Sequence, residues 1–163
     1  MGVRRKKPEP EPPPPPRAIA MDGSNVTASS IHGAERRLEQ ALSWCRAFGP
    51  SLPIAVFFDA ATLRRLGPDM ETRLRACAAS AGAEFFAAQV GASADPLLLA
   101  HAQDQRALLL SNDRFWDYED LRRDVILLQF TCDAAGFRVP DEATWFLPSG
   151  AARRVAVAAI RPA

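Results

Sequence analysis

Asp22, Asp95, Asp113 and Asp117 are the residues whose type and spacing suit one chemistry. Asp22 closes the apolar run 18–21, and Asp113 follows the apolar run 107–110 after Ser111-Asn112. Asp95, with Pro96 behind it, is placed to cap the helix leading into that second run. Asp117 lies four residues after Asp113, a spacing that puts both carboxylates on one face of a short helix. Carboxylates gathered at one place repel, and their pKa values rise unless a cation neutralises them. All-oxygen donors suit a hard divalent ion, Mg²⁺ or Mn²⁺, whereas zinc favours histidine and cysteine. Such an ion binds a phosphate oxygen, activates an attacking water and steadies the leaving oxygen, so the chemistry implied is phosphodiester hydrolysis. Taken one at a time, the acids also have ordinary readings as helix caps, an Asx turn at Asp22-Gly23 and a solvated helix charge.

The elements that must position these acids read as alternating short strands and amphipathic helices, the pattern of a parallel α/β sheet. Strands are expected at 18–21, 54–58, 84–88, 107–110 and 125–130. A helix is expected from Ala34 to Phe48, where Leu38, Ala41, Leu42, Cys45 and Phe48 share one face and Gly49-Pro50 ends it. Met70, Leu74, Cys77, Ala78 and Ala81 mark a second helix closed by Gly82, Asp95 opens a third, and a short fourth follows Asp113. Residues 137–139 and 155–160 are expected to add small edge strands. In an open sheet of this kind ligands bind beyond the carboxyl ends of the strands, which is where the acids fall.

Similar-looking motifs fail on particular residues. A haloacid-dehalogenase-type phosphatase needs a second aspartate where Ser24 stands, and an integrin-type metal site needs a serine at Val26. A response regulator wants an acidic pair where Met21-Asp22 offers one acid, and a dinucleotide fold needs more glycine than Gly23 alone.

Composition bounds the rest. The 163 residues suit one domain, residues 18–163, preceded by a basic, proline-rich tail, residues 1–17, expected to be disordered and unpacked. Five of the 20 Lys and Arg and two of the 19 Asp and Glu lie in that tail, so the remainder carries about −2 and is not a generally basic nucleic-acid binder. Cys45, Cys77 and Cys132 are far apart and set in apolar patterns, which fits buried thiols in a reducing cytoplasm. No apolar run reaches the roughly 18 residues of a membrane span.

With those residues in view, the chain resembles the NYN domains of the PIN-like ribonuclease superfamily, in particular the Regnase-type branch that in animals accompanies a CCCH zinc finger. Ile19-Ala20-Met21-Asp22-Gly23-Ser24-Asn25-Val26 resembles that branch's first motif, and Leu110-Ser111-Asn112-Asp113-Arg114-Phe115-Trp116-Asp117 resembles its last. Asp95 stands at the spacing of the middle acid, and the likeness runs from about Arg17 to Phe130. The resemblance implies a three-layer α/β/α Rossmannoid fold with a central parallel sheet of about five strands, Mg²⁺- or Mn²⁺-dependent cleavage of single-stranded RNA, and dimerisation in some members. Two features depart from it: Ala94 stands where the branch commonly has a second aspartate, and the chain has no CCCH finger.

On that basis Asp22, Asp95, Asp113 and Asp117 are assigned to metal binding, and Asn25 is assigned to orienting a water or substrate oxygen. Ser24 and Arg114 are candidate phosphate contacts, and Arg36 and Arg37 could steer RNA from the start of their helix. Trp116 reads as core more readily than as a base-stacking platform, and His32 is the histidine nearest the first motif. The partners expected are single-stranded RNA, a second copy of the chain and, if the enzyme is one half of a toxin and antitoxin pair, an antitoxin-like protein. A catalytically weakened RNA-binding or protein-interaction module is the competing class, with Ala94 as its sign. DNA cleavage by the same acids is the third.

Overall fold

The computed structural model describes residues 11–28, 32–133 and 135–162. β1 (Ala18–Asp22), β2 (Ile54–Phe58), β3 (Ala83–Ala87), β4 (Ala107–Leu110) and β5 (Ile126–Leu128) pair in parallel in the order β3-β2-β1-β4-β5. The winding direction reverses between β1 and β4, so the crevice of this fold opens beyond their carboxyl ends. The central strands read as continuous apolar runs because both faces of the sheet are covered. Ile19, Met21, Val56, Phe58, Leu108 and Leu110 face one core, while Ala20, Ala55, Phe57, Ala107 and Leu109 face the other.

The first core is covered by α1 (Gly23–Thr27), α2 (Ala34–Phe48), α3 (Ala60–Leu66) and α4 (Pro68–Ser80). The second is covered mainly by α5 (Asp95–Asp104), and the small side chains of Ala18, Ala20, Ala55 and Ala107 let that helix lie close to the strands. The result is a three-layer α/β/α arrangement with unequal layers. Arg46 clamps the first layer: its guanidinium donates to the carbonyls of Ala81 and Gly82, beyond the end of α4, and to those of Pro50 and Leu52.

Several expectations are corrected at the element level. The sheet continues past its five parallel strands into antiparallel β8 (Glu142–Phe146) and β9 (Ala152–Ala156). Of the two edge segments expected, Phe137 instead belongs to a separate hairpin of β6 (Thr131–Asp133) and β7 (Gly136–Arg138), which packs through Phe137 on Trp44 and Phe130. Residues 157–160 form α6 (Val157–Ile160), not strand, because Val157 and Ile160 turn into the first core. The fourth helix is only a 3-10 turn at Trp116–Tyr118, so Asp113 and Asp117 do not share a helix face. Asp95 is the first residue of α5, and Ala94 is its N-cap.

Of the tail, only residues 11–17 are described. The basic run Arg4 to Lys7 lies outside the described residues, but Pro13 and Pro16 are buried and the Arg17 N–H donates to the Arg106 carbonyl. Pro13 lines a depression with Arg106, Ile126 and Trp145, so proline rings here supply apolar surface that the polar flanking residues cannot. Cys45 is buried, Cys77 and Cys132 are partly buried, and all three are unpaired.

Gly23 is fixed by close approach: a Cβ there would overlap the ring of Phe58 at the end of β2. Overpacking a core contact of this kind costs about 1–3 kcal/mol. Gly23→Ala should therefore lower stability by that amount in urea denaturation, and an unchanged midpoint would contradict the contact.

Candidate functional site

Asp22 ends β1 and caps α1, and it is only 5% exposed. Its Oδ1 accepts from the Asn25 N–H at 3.0 Å, and its Oδ2 accepts from the Ser111 hydroxyl at 2.8 Å across the β1–β4 crevice. Burial pushes its pKa up from 3.8 to about 6; the two hydrogen bonds oppose the rise, and the charges of Asp95 and Asp59 add to it. A buried carboxylate whose charged neighbours are other carboxylates is an unpaid electrostatic cost, and positions of that kind concentrate at functional sites.

The β4 loop is built around the same contact. Ser111 Oγ also accepts from the Asp113 N–H at 3.1 Å, and Asp113 Oδ1 accepts from the Phe115 N–H at 2.9 Å. Asn25 Oδ1 accepts from the Asn112 N–H at 2.8 Å, while Asn112 Oδ1 accepts from the Phe130 N–H at 2.9 Å. These bonds pin the loop to α1 on one side and to the segment after β5 on the other. Phe115 takes up the strain: it is left-handed at φ 52° yet 2% exposed, a conformation a bulky residue adopts only when packing enforces it.

Asp95 is half-buried at the start of α5, and its pKa is also raised, first by burial and then by Asp113 and Asp59. Asp22, Asp95 and Asp113 are thus brought together with an acid that the sequence reading passed over, Asp59. It follows β2 directly; its N–H donates to Ser24 Oγ at 2.9 Å, and its Oδ1 accepts from the Ala94 N–H at 2.6 Å. The signal was available, since Phe58-Asp59 repeats the strand-then-aspartate pattern of Met21-Asp22 on the neighbouring strand. Ser111 was likewise legible only as part of a motif, with no role assigned to its hydroxyl.

The other predicted residues fall in different places. Asp117 is exposed in the 3-10 turn and is not among the acids acting on Asp22 or Asp95. Ser24 is buried, with its oxygen engaged by Asp59. Arg37 spends its guanidinium on the carbonyls of Val26, Thr27 and His32, capping the end of α1, whereas Arg36 and Arg114 are exposed. Trp116 is 62% exposed and so is not core.

Mg²⁺ typically keeps several waters and is bound through one or two carboxylates, and the oxygen donors of Asp22, Asp95 and Asp113 fit that chemistry. Among the described residues no three His, Cys, Asp or Glu side chains form a ready-made metal group, so the four-aspartate shell expected from the sequence is not preassembled.

No protein-family model matches the chain, and no curated protein matches it by sequence. Its fold is nevertheless similar to solved structures of nuclear proteinaceous RNase P 2 (PRORP2) from Arabidopsis thaliana. One matches with a TM-score of 0.56 at 18% identity, covering 76% of this chain and 29% of that one. A second matches with a TM-score of 0.54 at 15% identity and the same coverage, 76% and 29%. The chain therefore spans less than a third of those proteins. The likeness is one of fold, a mostly parallel sheet flanked by helices, and it does not single out the Regnase-type branch. No helix among the described residues is long and apolar enough to cross a membrane.

The raised pKa of Asp22 has a defined consequence for stability. Between the ordinary value of 3.8 and about 6 the folded state holds a proton that the unfolded chain has released, so stability falls as pH rises through that window. The loss from this group is about 3 kcal/mol. Asp22→Asn removes the charge; its amide oxygen can still accept from the Asn25 N–H, while its NH2 can only donate towards Ser111 Oγ, so the variant should flatten the stability profile between about pH 4 and 6. Urea denaturation across that range checks this; an Asn variant whose stability falls between about pH 4 and 6 as steeply as the parent's contradicts the assignment.

Proposed function

We propose that this chain is a metal-dependent endoribonuclease that hydrolyses phosphodiester bonds in single-stranded RNA. The observation that carries the reading is the buried Asp22 carboxylate at the β1–β4 crevice, with Asp59 and Asp95 acting on it and Asp113 acting on Asp95. Its supports are the resemblance of the first and last motifs and a fold shared with RNase P structures.

In this reading Asp22, Asp95 and Asp113 hold Mg²⁺ or Mn²⁺ directly or through water, and Asp117 contributes from further out. The ion supplies Lewis-acid polarisation of the scissile phosphate and a water of lowered pKa. Asp22 is kept rigid by Ser111 and Asn25, so its oxygens need no reorganisation when substrate arrives. Asn25 orients a water or substrate oxygen from the rim. One of these carboxylates would take the proton of the attacking water, and Asp95, half-buried between the crevice and solvent, is assigned that role. Arg114 and Arg36 are exposed and available to phosphates. Ser24 acts by fixing the Asp59 backbone beside the acids, and Arg37 acts by holding α1, the helix that carries Asn25.

One observation favours the second reading, an RNA-binding module of the same fold with a weakened site: no three of the acids form a ready-made metal group, and Ala94 supplies none. A single assay separates the two. Labelled single- and double-stranded RNA and single-stranded DNA are incubated with purified protein in Mn²⁺, Mg²⁺ or EDTA. The nuclease reading expects cleavage of single-stranded RNA that EDTA abolishes and that Asp22→Asn or Asp113→Asn lowers by roughly 100-fold or more. RNA retained without cleavage in either metal supports the binding module, and cleavage in EDTA or by both variants at the parent rate sinks the assignment.

The positions of the acids also rank them. Asp117→Asn should cost less activity than Asp113→Asn, because Asp113 acts on Asp95 whereas Asp117 acts on neither Asp22 nor Asp95; an equal loss in kcat would show that the turn folds inward on substrate.

A further inference from the structure

The helix layer over the second core does not reach the antiparallel end of the sheet. β5, β8 and β9 therefore present one face to a cleft of about 230 Å³, bounded by Arg114, Trp116, Gln129, Thr144, Arg153 and Arg154. Its lining holds three arginines and no carboxylate, in a chain whose formal net charge is only +1. The register places Arg154 opposite Thr144 and Ala152 opposite Phe146, so these side chains share the face on which Phe146 and Leu127 pack.

Trp116 forms the outer wall and is built to stay there. The Arg122 guanidinium lies 4.5 Å from the Trp116 ring centroid and 4.7 Å from that of Phe146, an arginine layered between two aromatic rings. Arg122 is only 5% exposed, donates to the Arg114 carbonyl at 3.0 Å and pairs with Glu119 at 3.6 Å. A large aromatic that is 62% exposed and seated on a buried, hydrogen-bonded cation is a rigid platform, and the cation beneath strengthens its stacking with an electron-rich ring. The cleft also joins the carboxylate site. Gln129 on its wall donates to the Asn112 carbonyl at 3.3 Å, and Trp116 is three residues from Asp113, at most about 11 Å along the chain.

We propose that this cleft binds the stretch of single-stranded RNA running on from the carboxylate cluster, with one base stacked on the exposed face of Trp116 and phosphates paired with Arg114 and Arg154. The inference rests on the nuclease reading of the adjacent acids for the direction of the strand, but its chemistry needs only a base and a phosphate. Stacking on one aromatic tolerates any base, so the cleft supplies affinity and register rather than sequence choice. The arginines supply a salt-dependent share of binding. β8 and β9 thus give the chain an RNA-docking surface within its own sheet.

The test measures binding apart from cleavage. The Asp22→Asn protein, which separates binding from cleavage, is titrated with a short fluorescein-labelled oligouridine RNA over a salt series, following anisotropy and tryptophan quenching. Trp116→Ala should weaken binding about tenfold and remove most of the quenching, while Trp116→Phe keeps most of the affinity. Arg154→Ala should weaken binding and lower the slope of log affinity against log salt by about one. Arg73→Ala, on α4 across the sheet, should change neither. Circular dichroism checks that each variant is folded, and Trp116→Phe with Arg154→Ala decides the matter if Trp116→Ala is not. Affinity unchanged in Arg154→Ala and Trp116→Ala, or no RNA binding at all, overturns the proposal. If affinity falls as expected while the parent protein cleaves nothing in Mn²⁺, the cleft stands and the nuclease reading fails. If the parent cleaves and these variants bind and cleave equally well, the reverse holds.

Discussion

The hydrogen bond from Ser111 to Asp22 crosses the one place in the sheet where the winding direction changes, and much of the surrounding structure serves to hold it. Parallel neighbours β1 and β4 diverge into different connections there, so the crevice needs something to tie its lips together. A hydroxyl that donates to a buried carboxylate and accepts from the next loop's amide does so with one side chain. The cost is a carboxylate kept out of water beside other acids. The central strands make that cost bearable because their continuous apolar packing is far larger than the penalty at one end. Gly23 allows the turn after Asp22 to press against Phe58, which brings α1, and with it Asn25, down onto the crevice.

The parallel core was legible because its code is local and redundant. Strands buried on both faces must be apolar at every position, and helices covering them must repeat near 3.6, so Ala18–Met21, Ile54–Phe58, Ala107–Leu110 and the stripe from Leu38 to Phe48 announce themselves. The acids at strand ends were legible only as a group: each alone reads equally well as a cap or a turn, but together they fall beyond the carboxyl ends of the strands. What failed depended on tertiary context. β8, Glu142–Phe146, alternates too briefly to be told from loop until Ile126 and Leu127 are known to lack a partner on that side. Proline rings read as unpackable until Arg106 and Trp145 are seen beside Pro13. Arg37 reads as a surface charge because nothing in sequence says that the last carbonyls of α1 lie within its reach.

Trp116 shows the limit from the other side. An aromatic beside an acid at helical spacing reads as core, and the turn is too short for that reading to hold: three residues of 3-10 helix do not enclose an indole. The ring is instead supported by Arg122, whose own burial is tolerated because two aromatic faces and a backbone carbonyl replace its water. Stability and exposure are compatible here, which is why the residue could not be placed by hydrophobicity alone.

Ala94 changes meaning in the same way. Read against paired aspartates, it is a missing ligand. In the folded chain Ala94 is 5% exposed, caps α5 and gives its N–H to Asp59 at 2.6 Å. An acid at position 94 would be desolvated directly beside Asp59, two like charges in low dielectric, and one of them would have to be protonated or displaced. The carboxylate that takes the Ala94 N–H is Asp59, at the end of β2, while Asp95 supplies the acid at the start of α5. Asp59 is in turn positioned by β2, whose side chains pack on both faces of the sheet.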